Sequence, residues 1–291
     1  RYHVMELAKR LVQLSSARQY DVTVVQKALL SVYLKGMLSL LKRNARRVIY
    51  DIDDAVHLAS PNPMPRYWRF WEDKSQINKL FQIADLVLAG NNWLREEARS
   101  HGARAELFPT VVDTDRFVPK RQNEGKYTLG WIGSPSTAGM LNAINIDLSC
   151  LPNTHVLLIG MDKAQNPWQY AVVEPWGFET EVGLIQSCSV GLMPSEKSPW
   201  ARGKCGLKAL QYMACGIPCI ATPFGAALEI IREGETGLFA DTPAAWKKAV
   251  EILRDDTVRE RMGAAARADV EKRFSLNKAA PELVQWLHSV I

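Results

Sequence analysis

The 291-residue sequence has no continuous run of 18 apolar residues and no CxxC pair. A helix needs an apolar run of about that length to span a bilayer, so no transmembrane helix is expected. The chain also lacks the charged, apolar and small-residue regions of a signal peptide, which predicts a cytoplasmic protein. The five cysteines are odd in number and scattered, and we expect free, mostly buried thiols in a reducing compartment.

Positive charge is concentrated near the N-terminal end. Residues 1–50 contain ten Lys or Arg against two acidic residues, whereas the whole chain has a net charge of +5. Many of these cations lie on a predicted amphipathic helix over 33–47. Such a helix can lie on an anionic membrane surface, or it can be a core helix with its cations in solvent and at its C-terminal end. The remainder of the chain is net acidic, and no nucleic-acid partner is expected.

Predicted strands and helices alternate in two blocks, which favours two α/β domains with parallel sheets. A length of 291 residues also suits two domains better than one. The polar segment 118–126 is predicted to join the domains. A stretch rich in Pro and aromatic residues, over 55–71, is predicted to be a mobile loop over a cleft rather than a regular element.

A predicted helix in the second block carries cations on one face. Lys204, Lys208 and Gln211 recur at spacings of four and three, which places them on the same face of a helix. Ammonium groups near the start of a helix add to its positive dipole end and free N–H groups, so this face predicts a phosphate or diphosphate site. The opposite face is apolar and predicted to be buried, with Leu207, Leu210 and Met213.

The segment GWIGSPSTAGM (130–140) suggests a second anion site. A predicted strand runs into Gly133, and Ser136 or Thr137 is expected to cap the helix that follows. A glycine loop between a strand and a helix N-terminus can hold a phosphate group. A glycine in this position often forms only a turn, so both interpretations stay open.

These segments resemble the family 4 glycosyltransferases, retaining enzymes with the GT-B fold. GWIGSPST, SVGLMP, GKCGLKALQYMACGIP and EGETGLF match the family in order, and VIYDIDDA, ADLVLAGNNWL and PTVVDTDRF resemble its upstream motifs. The resemblance covers nearly the whole chain from about Tyr20. It implies two Rossmann-like domains facing a cleft: a partial acceptor-side domain over 1–120, a nucleotide-sugar-binding domain over 121–274, and a helix over 275–291 that packs back across the junction.

The resemblance also implies roles for individual residues. Lys208 would face the diphosphate of the donor, with Arg202 and Lys204 nearby. Gln211 occupies the position where many members bind the ribose through a glutamate. The remaining donor-site residues would be those of the glycine loop and those of the segment that frames the base: Gly133, Ser134, Thr137, Phe178 and Glu179.

Three aspartates, Asp51, Asp53 and Asp54, follow or end a predicted strand in VIYDIDDAVH. By resemblance to the GT-B family, Asp53 falls near the position where many members have a histidine close to the donor sugar. There it could bind hydroxyl groups of the sugar or acceptor, or stabilise the positive charge that develops at the anomeric carbon. This interpretation makes Asp53 catalytic together with Lys208 and requires no metal and no cofactor. The competing class is a magnesium-dependent phosphohydrolase of the DxD type, but Ala55 departs from its motif.

The chain departs from the family at several positions. Gly203 stands where many members have a glutamate that positions the sugar, and Ser134 and Ala138 replace an Arg and a Lys of the glycine loop. These departures leave open a nucleotide-sugar-binding or peripheral membrane module without turnover. The principal prediction is a retaining transferase that moves a sugar from a nucleoside diphosphate sugar, UDP- or GDP-linked, to a glycan or lipid-linked acceptor. Its expected setting is surface polysaccharide synthesis at the inner face of a membrane.

Overall fold

The structure is a computed structural model that describes residues 2–30, 33–58, 66–73, 75–120, 126–144, 146, 151 and 153–291. The chain divides into two compact units. The first unit contains Arg1–Thr110, Ser198–Cys205 and Ala280–Ile291, and the second contains Val111–Lys197 and Gly206–Ala279. The chain thus first passes from one unit to the other after Thr110. The junction was predicted later in the chain, over 118–126, and residues 121–125 of that segment lie outside the described part.

Each unit is built on a parallel sheet. The first sheet has four strands in the order β1-β2-β3-β4, and the second has six in the order β10-β9-β8-β5-β6-β7. The predicted α/β fold with two parallel sheets is confirmed. The strands are β1 (Thr23–Gln26), β2 (Val48–Ile52), β3 (Leu86–Ala89), β4 (Ala105–Leu107), β5 (Tyr127–Ile132), β6 (Thr154–Ile159), β7 (Val172–Glu174), β8 (Val190–Met193), β9 (Cys219–Ala221) and β10 (Gly237–Phe239).

Within each unit, an α-helix or a 3₁₀ helix lies between successive strands, as parallel pairing requires. Four further segments of the described residues form 3₁₀ helices: Ala17–Gln19, Arg66–Trp71, Pro135–Ala143 and Lys163–Gln165. The α-helices are α1 (Tyr2–Ser16), α2 (Met37–Asn44), α3 (Gln76–Ile83), α4 (Asn92–Ser100), α5 (Glu181–Gln186), α6 (Pro199–Arg202), α7 (Leu207–Ala214), α8 (Ala227–Ile230), α9 (Pro243–Ile252), α10 (Asp256–Arg273) and α11 (Leu276–His288).

The basic helix predicted over 33–47 is shorter in the structure. Helix α2 starts after Gly36, whose φ of +86° ends the preceding turn, and stops at Asn44. Its apolar side chains Met37, Leu38 and Leu41 are buried in the core of the first unit. This helix therefore offers no apolar face for insertion into lipid, which favours the interpretation as a core helix.

Two other predictions concern the first unit. Residues 66–71 form a 3₁₀ helix, so the prediction of an irregular loop was wrong there, and 59–65 lie outside the described residues. The last residues of the chain pack on the first sheet, where Trp286 and Val290 contact a cluster that includes Ile49. Among the described residues, no helix is both long and apolar enough to cross a membrane.

The second sheet has a reversal of strand order at β5. Strand β5 pairs with β6 on one side and with β8 on the other, so the chain builds the sheet outward in both directions from this strand. In open α/β sheets, ligands bind beyond the carboxyl ends of the strands at such a reversal. The loop that begins at Gly133, directly after β5, lies at this position.

Candidate functional site

The loops after β5 and β6 approach each other closely at the carboxyl edge of the second sheet. Gly133 donates its N–H to the Ile159 carbonyl at 2.9 Å. A Cβ at Gly160, whose φ is +83°, would come within 2.6 Å of the Gly133 carbonyl oxygen. Gly160 therefore requires glycine, and so does Gly133, where a Cβ would lie 2.5 Å from the Trp131 ring.

The element after Gly133 differs from the expected one. Ser134 is the N-cap of a 3₁₀ helix that runs over Pro135–Ala143. Thr137 donates its N–H to the Ser134 carbonyl at 2.9 Å. The prediction that Ser136 or Thr137 caps the helix was wrong, because Pro135 has a fixed φ that suits the first helical position and the element starts there.

Lys208 brings a positive charge to this loop. Its Nζ donates to Thr137 Oγ1 at 3.4 Å and lies 4.4 Å from the centroid of the Trp131 ring. A Cβ at Gly133 would lie 2.6 Å from the same Nζ. The structure thus brings together four predicted donor-site residues of the second unit: Gly133, Ser134, Thr137 and Lys208.

Tyr212 fixes the position of the helix that carries Lys208. Its hydroxyl donates to the Gly130 carbonyl at 3.1 Å and accepts the Ile132 N–H at 2.9 Å. The tyrosine hydroxyl thus takes the place of a neighbouring strand where the pairing of β5 with β8 stops, after Gly130. Lys208 precedes Tyr212 by one helical turn, so the tyrosine positions the ammonium at the carboxyl end of β5. Tyr212 was not among the residues predicted from the sequence.

Lys204 was predicted to share a helical face with Lys208 and Gln211, and this prediction was wrong. Helix α7 begins at Leu207, after Gly206 with a φ of +68°. The left-handed residue breaks the helix, so the spacing of four between the two lysines is not a helical turn. Leu207 was predicted to be buried, yet it is 46% exposed. Gln211 lies on α7 and is buried.

The aromatic segment before α5 is held by an arginine that was not among the residues predicted from the sequence. Arg116 pairs with Glu181 at 2.5 Å, and its guanidinium stacks on Phe178 at 3.9 Å from the ring centroid. Phe178 is 60% exposed. Trp176 donates its indole N–H to the other oxygen of Glu181 at 2.7 Å. An ordered aromatic surface results, while Glu179 is exposed.

The aspartates of the first unit surround a lysine from the neighbouring strand. Lys27 Nζ lies 3.2 Å from Asp53 Oδ1 and 3.2 Å from Asp54 Oδ2. Burial lowers the pKa of Lys27, but the charges of Asp53 and Asp54 outweigh it, so the pKa is raised above the ordinary value. An ammonium group thus pairs with Asp53, which is one of the two carboxylates, Asp51 and Asp53, that a DxD-type phosphohydrolase would use. Within the described residues, no group of three or more His, Cys, Asp or Glu side chains could hold a metal ion.

Asp51 has a different environment from its two neighbours. It lies within β2, and Gln26 donates to its Oδ2 from β1 at 3.2 Å. Burial, together with the charge of Asp53, raises the pKa of Asp51 to about 6. The three aspartates therefore differ in role, with Asp51 in the sheet and Asp53 and Asp54 at its carboxyl edge.

Residues 198–205 belong to the first unit and pack on the loop of Asp53. The Asn91 amide donates to the carbonyls of Arg202 and Lys204, at 3.2 Å each. Cys205 donates its S–H to the Asp53 carbonyl at 3.1 Å. The structure therefore places Arg202 and Lys204 in the same unit as Asp53, whereas the sequence placed both in the second domain.

Gly203 lies against the loop that follows Asp53. A Cβ at this position would lie 2.5 Å from the Cβ and 2.6 Å from the N of Ala55. The glutamate that many family 4 members carry here has no room in this packing. The absence of that side chain is thus a consequence of how residues 198–205 pack within the first unit.

Part of the candidate site lies in a segment that is similar to known proteins. The family described as "Glycosyl transferases group 1" matches residues 140–256, which include α7 and begin shortly after the glycine loop. This segment belongs to the group 1 glycosyltransferase family. The chain is similar to D-inositol 3-phosphate glycosyltransferase from Corynebacterium urealyticum, with 34% identity over 229 residues that cover 66% of this chain and 52% of that protein. The chain thus spans about half the length of this relative.

Two solved structures share the fold. Sucrose-phosphate synthase from Thermosynechococcus elongatus has a TM-score of 0.72 at 17% identity, covering 93% of this chain and 74% of that one. HepE from Anabaena, in complex with UDP and glucose, has a TM-score of 0.70 at 15% identity, covering 96% and 81%. At these identities the likeness concerns architecture, and it confirms the predicted GT-B fold class.

Proposed function

We propose that the chain transfers a sugar, with retention, from a nucleoside diphosphate sugar to a glycan or lipid-linked acceptor. The observation that carries this proposal is the placement of Lys208 against the glycine loop at the strand-order reversal of the second sheet. A diphosphate there meets an ammonium group, and each charge-assisted hydrogen bond contributes about 1.5–3 kcal/mol. In this proposal Thr137 and Ser134 line the phosphate site, and Phe178 and Glu179 lie on the side of the base.

The donor is proposed to be a UDP-sugar, with a GDP-sugar as the alternative. HepE, which has the same architecture, was solved with UDP and glucose, and the inositol phosphate relative is named as a glycosyltransferase. Asp53 is proposed to hold sugar or acceptor hydroxyl groups, or to stabilise the charge that develops at the anomeric carbon. The reaction needs neither a metal nor a cofactor in this scheme. A role in surface polysaccharide synthesis at the cytoplasmic face of a membrane completes the proposal.

A ligand-binding experiment tests the donor site. UDP-, GDP-, ADP- and dTDP-sugars are screened by thermal shift, and the affinity of the best one is measured by calorimetry for the intact chain, Lys208→Met and Lys247→Met. Lys247 is an exposed lysine of α9 in the same unit and serves as the matched control. We expect a loss of affinity of at least about tenfold for Lys208→Met alone, which corresponds to one charge-assisted bond. Equal affinities for both variants would exclude this donor site.

The alternative is a module that binds nucleotide sugars without turnover, and Gly203 is the observation that favours it. The two functions differ in one measurement. A radiolabelled donor is incubated with lipid and glycan extracts, and label in the acceptor fraction indicates transfer. Donor binding with no transferred label would favour the binding module.

A further inference from the structure

Lys27 occupies an unusual position beside the aspartates. It directly follows β1, and the carboxyl ends of the parallel neighbours β1 and β2 meet at one edge of the sheet. One ammonium group therefore reaches two carboxylates, Asp53 and Asp54, at 3.2 Å each. Other groups of this cluster are Asp51 and Tyr50 on β2 and Gln26 on β1.

The backbone of Lys27 is strained. Its φ is +57°, a left-handed value that it shares, among the described non-glycine residues, only with Asn153. A side chain with a Cβ adopts this region at a cost in energy. Two hydrogen bonds hold the conformation: Lys27 donates its N–H to the Asp51 carbonyl at 2.9 Å, and its own carbonyl accepts from the Tyr50 hydroxyl at 2.7 Å.

The ion pairs of Lys27 do not explain why a strained lysine is kept here. Its side chain is 44% exposed, and ion pairs at such exposure add little to stability. A glycine would adopt the same backbone without strain. Strain that stability does not require is typical of functional positions, where the surrounding structure enforces it.

We propose that Lys27 is the positioning residue for Asp53, orienting its carboxylate and balancing the charge of Asp54 so that Asp53 can face the reacting sugar. This inference rests on the proposed transferase function. Without the ammonium, three carboxylates within four positions repel one another, and the pKa of Asp51 loses the charge that lowers it. Lys27 thus acts through Asp53, while donor binding depends on Lys208 in the second unit.

The variant Lys27→Gly separates this role from a structural one. It removes the ammonium and relieves the backbone strain together, so we expect a melting temperature that is unchanged or raised. The turnover number should fall at least about tenfold at an unchanged KM for the donor, and the acid limb of the pH–rate profile should move to higher pH. Lys27→Arg, which keeps the positive charge, should retain most of the turnover of the intact chain.

Asn153→Gly is the matched control, because it relieves the other left-handed residue without touching the aspartates. It should raise the melting temperature comparably and leave turnover unchanged. A readout independent of activity is the titration of Asp51 by carboxyl NMR. The charge of Lys27 lowers the pKa of Asp51, so that pKa, about 6 in the intact chain, should rise further in Lys27→Gly.

The outcomes separate the two proposals. Full turnover of Lys27→Gly with an unshifted pH profile overturns the positioning role and leaves the transferase function in place. An intact chain that binds a donor but transfers no sugar under any condition overturns the transferase function, and the positioning role falls with it. An unchanged titration of Asp51 contradicts the electrostatic step even where turnover is lost.

Discussion

The ammonium of Lys208 and the indole of Trp131 form a cation–π pair, with Nζ 4.4 Å from the ring centroid. Trp131 is completely buried in β5, and Lys208 belongs to α7. The pair therefore joins α7 to β5, the strand at which the strand order of the second sheet reverses. Such a contact holds the cation in place without neutralising it. The pair therefore places the ammonium beside the glycine loop.

Gly133→Ala should disturb this pair directly. The added methyl group would lie 2.5 Å from the Trp131 ring and 2.6 Å from Lys208 Nζ, so the lysine must leave its position. We expect donor affinity to fall about tenfold or more, with a loss of about 1–3 kcal/mol in the free energy of unfolding from overpacking. Calorimetry and urea denaturation measure the two quantities.

Gly139→Ala is the control for this substitution. Gly139 lies in the same 3₁₀ helix, and a Cβ there meets nothing within 4 Å. It should leave donor affinity unchanged. If Gly133→Ala and its control bind the donor equally well, the glycine loop does not form the phosphate site.

The glycine loop after β5 could be predicted from the sequence because its signals are local. A strand that ends at a glycine and a helix with a lysine in its first turn are both visible within a few residues. Lys27 could not be predicted, because it precedes Asp53 by 26 positions and meets it only through the pairing of β1 with β2. The error at Lys204 has a local cause: the lysine spacing suggested a helix that the left-handed Gly206 interrupts.

Asp51→Asn should stabilise the first unit at neutral pH. The pKa of Asp51 is raised to about 6 in the folded chain, from 3.8. Between these values the folded state keeps a proton that the unfolded state has released, so stability falls as the pH rises from about 4 to about 6 and stays reduced above it. An asparagine avoids this penalty and can still accept from Gln26. We expect a gain of about 2 kcal/mol at pH 7 that disappears toward pH 4.

Denaturation curves from pH 4 to pH 8 measure this difference. Asp162→Asn, at an exposed aspartate of the second unit, is the control and should show no such trend. A stabilisation by Asp51→Asn that is equal at pH 4 and pH 7 would mean that its cause is not ionisation.

Gly203→Ala should destabilise the first unit although Gly203 has an ordinary φ. The methyl group would lie 2.5 Å from the Ala55 Cβ and 2.6 Å from the Ala55 N, and backbone atoms cannot move aside as a flexible side chain does. We expect a loss of about 1–3 kcal/mol in the free energy of unfolding, measured by urea denaturation. Gly203→Glu should lose more, because the larger side chain has the same backbone in its path.

The second substitution Ala55→Gly gives the sharper test of this packing. It removes the Cβ, which is one of three Ala55 atoms within 2.9 Å of the added methyl group. The double variant should therefore recover part of the stability lost in Gly203→Ala, and the two effects should not add. Full additivity would show that the two residues do not contact each other. Recovery of stability would show that Gly203 packs directly on the Asp53 loop. A glutamate would then have no room at this position, and its absence would be no argument for lost turnover.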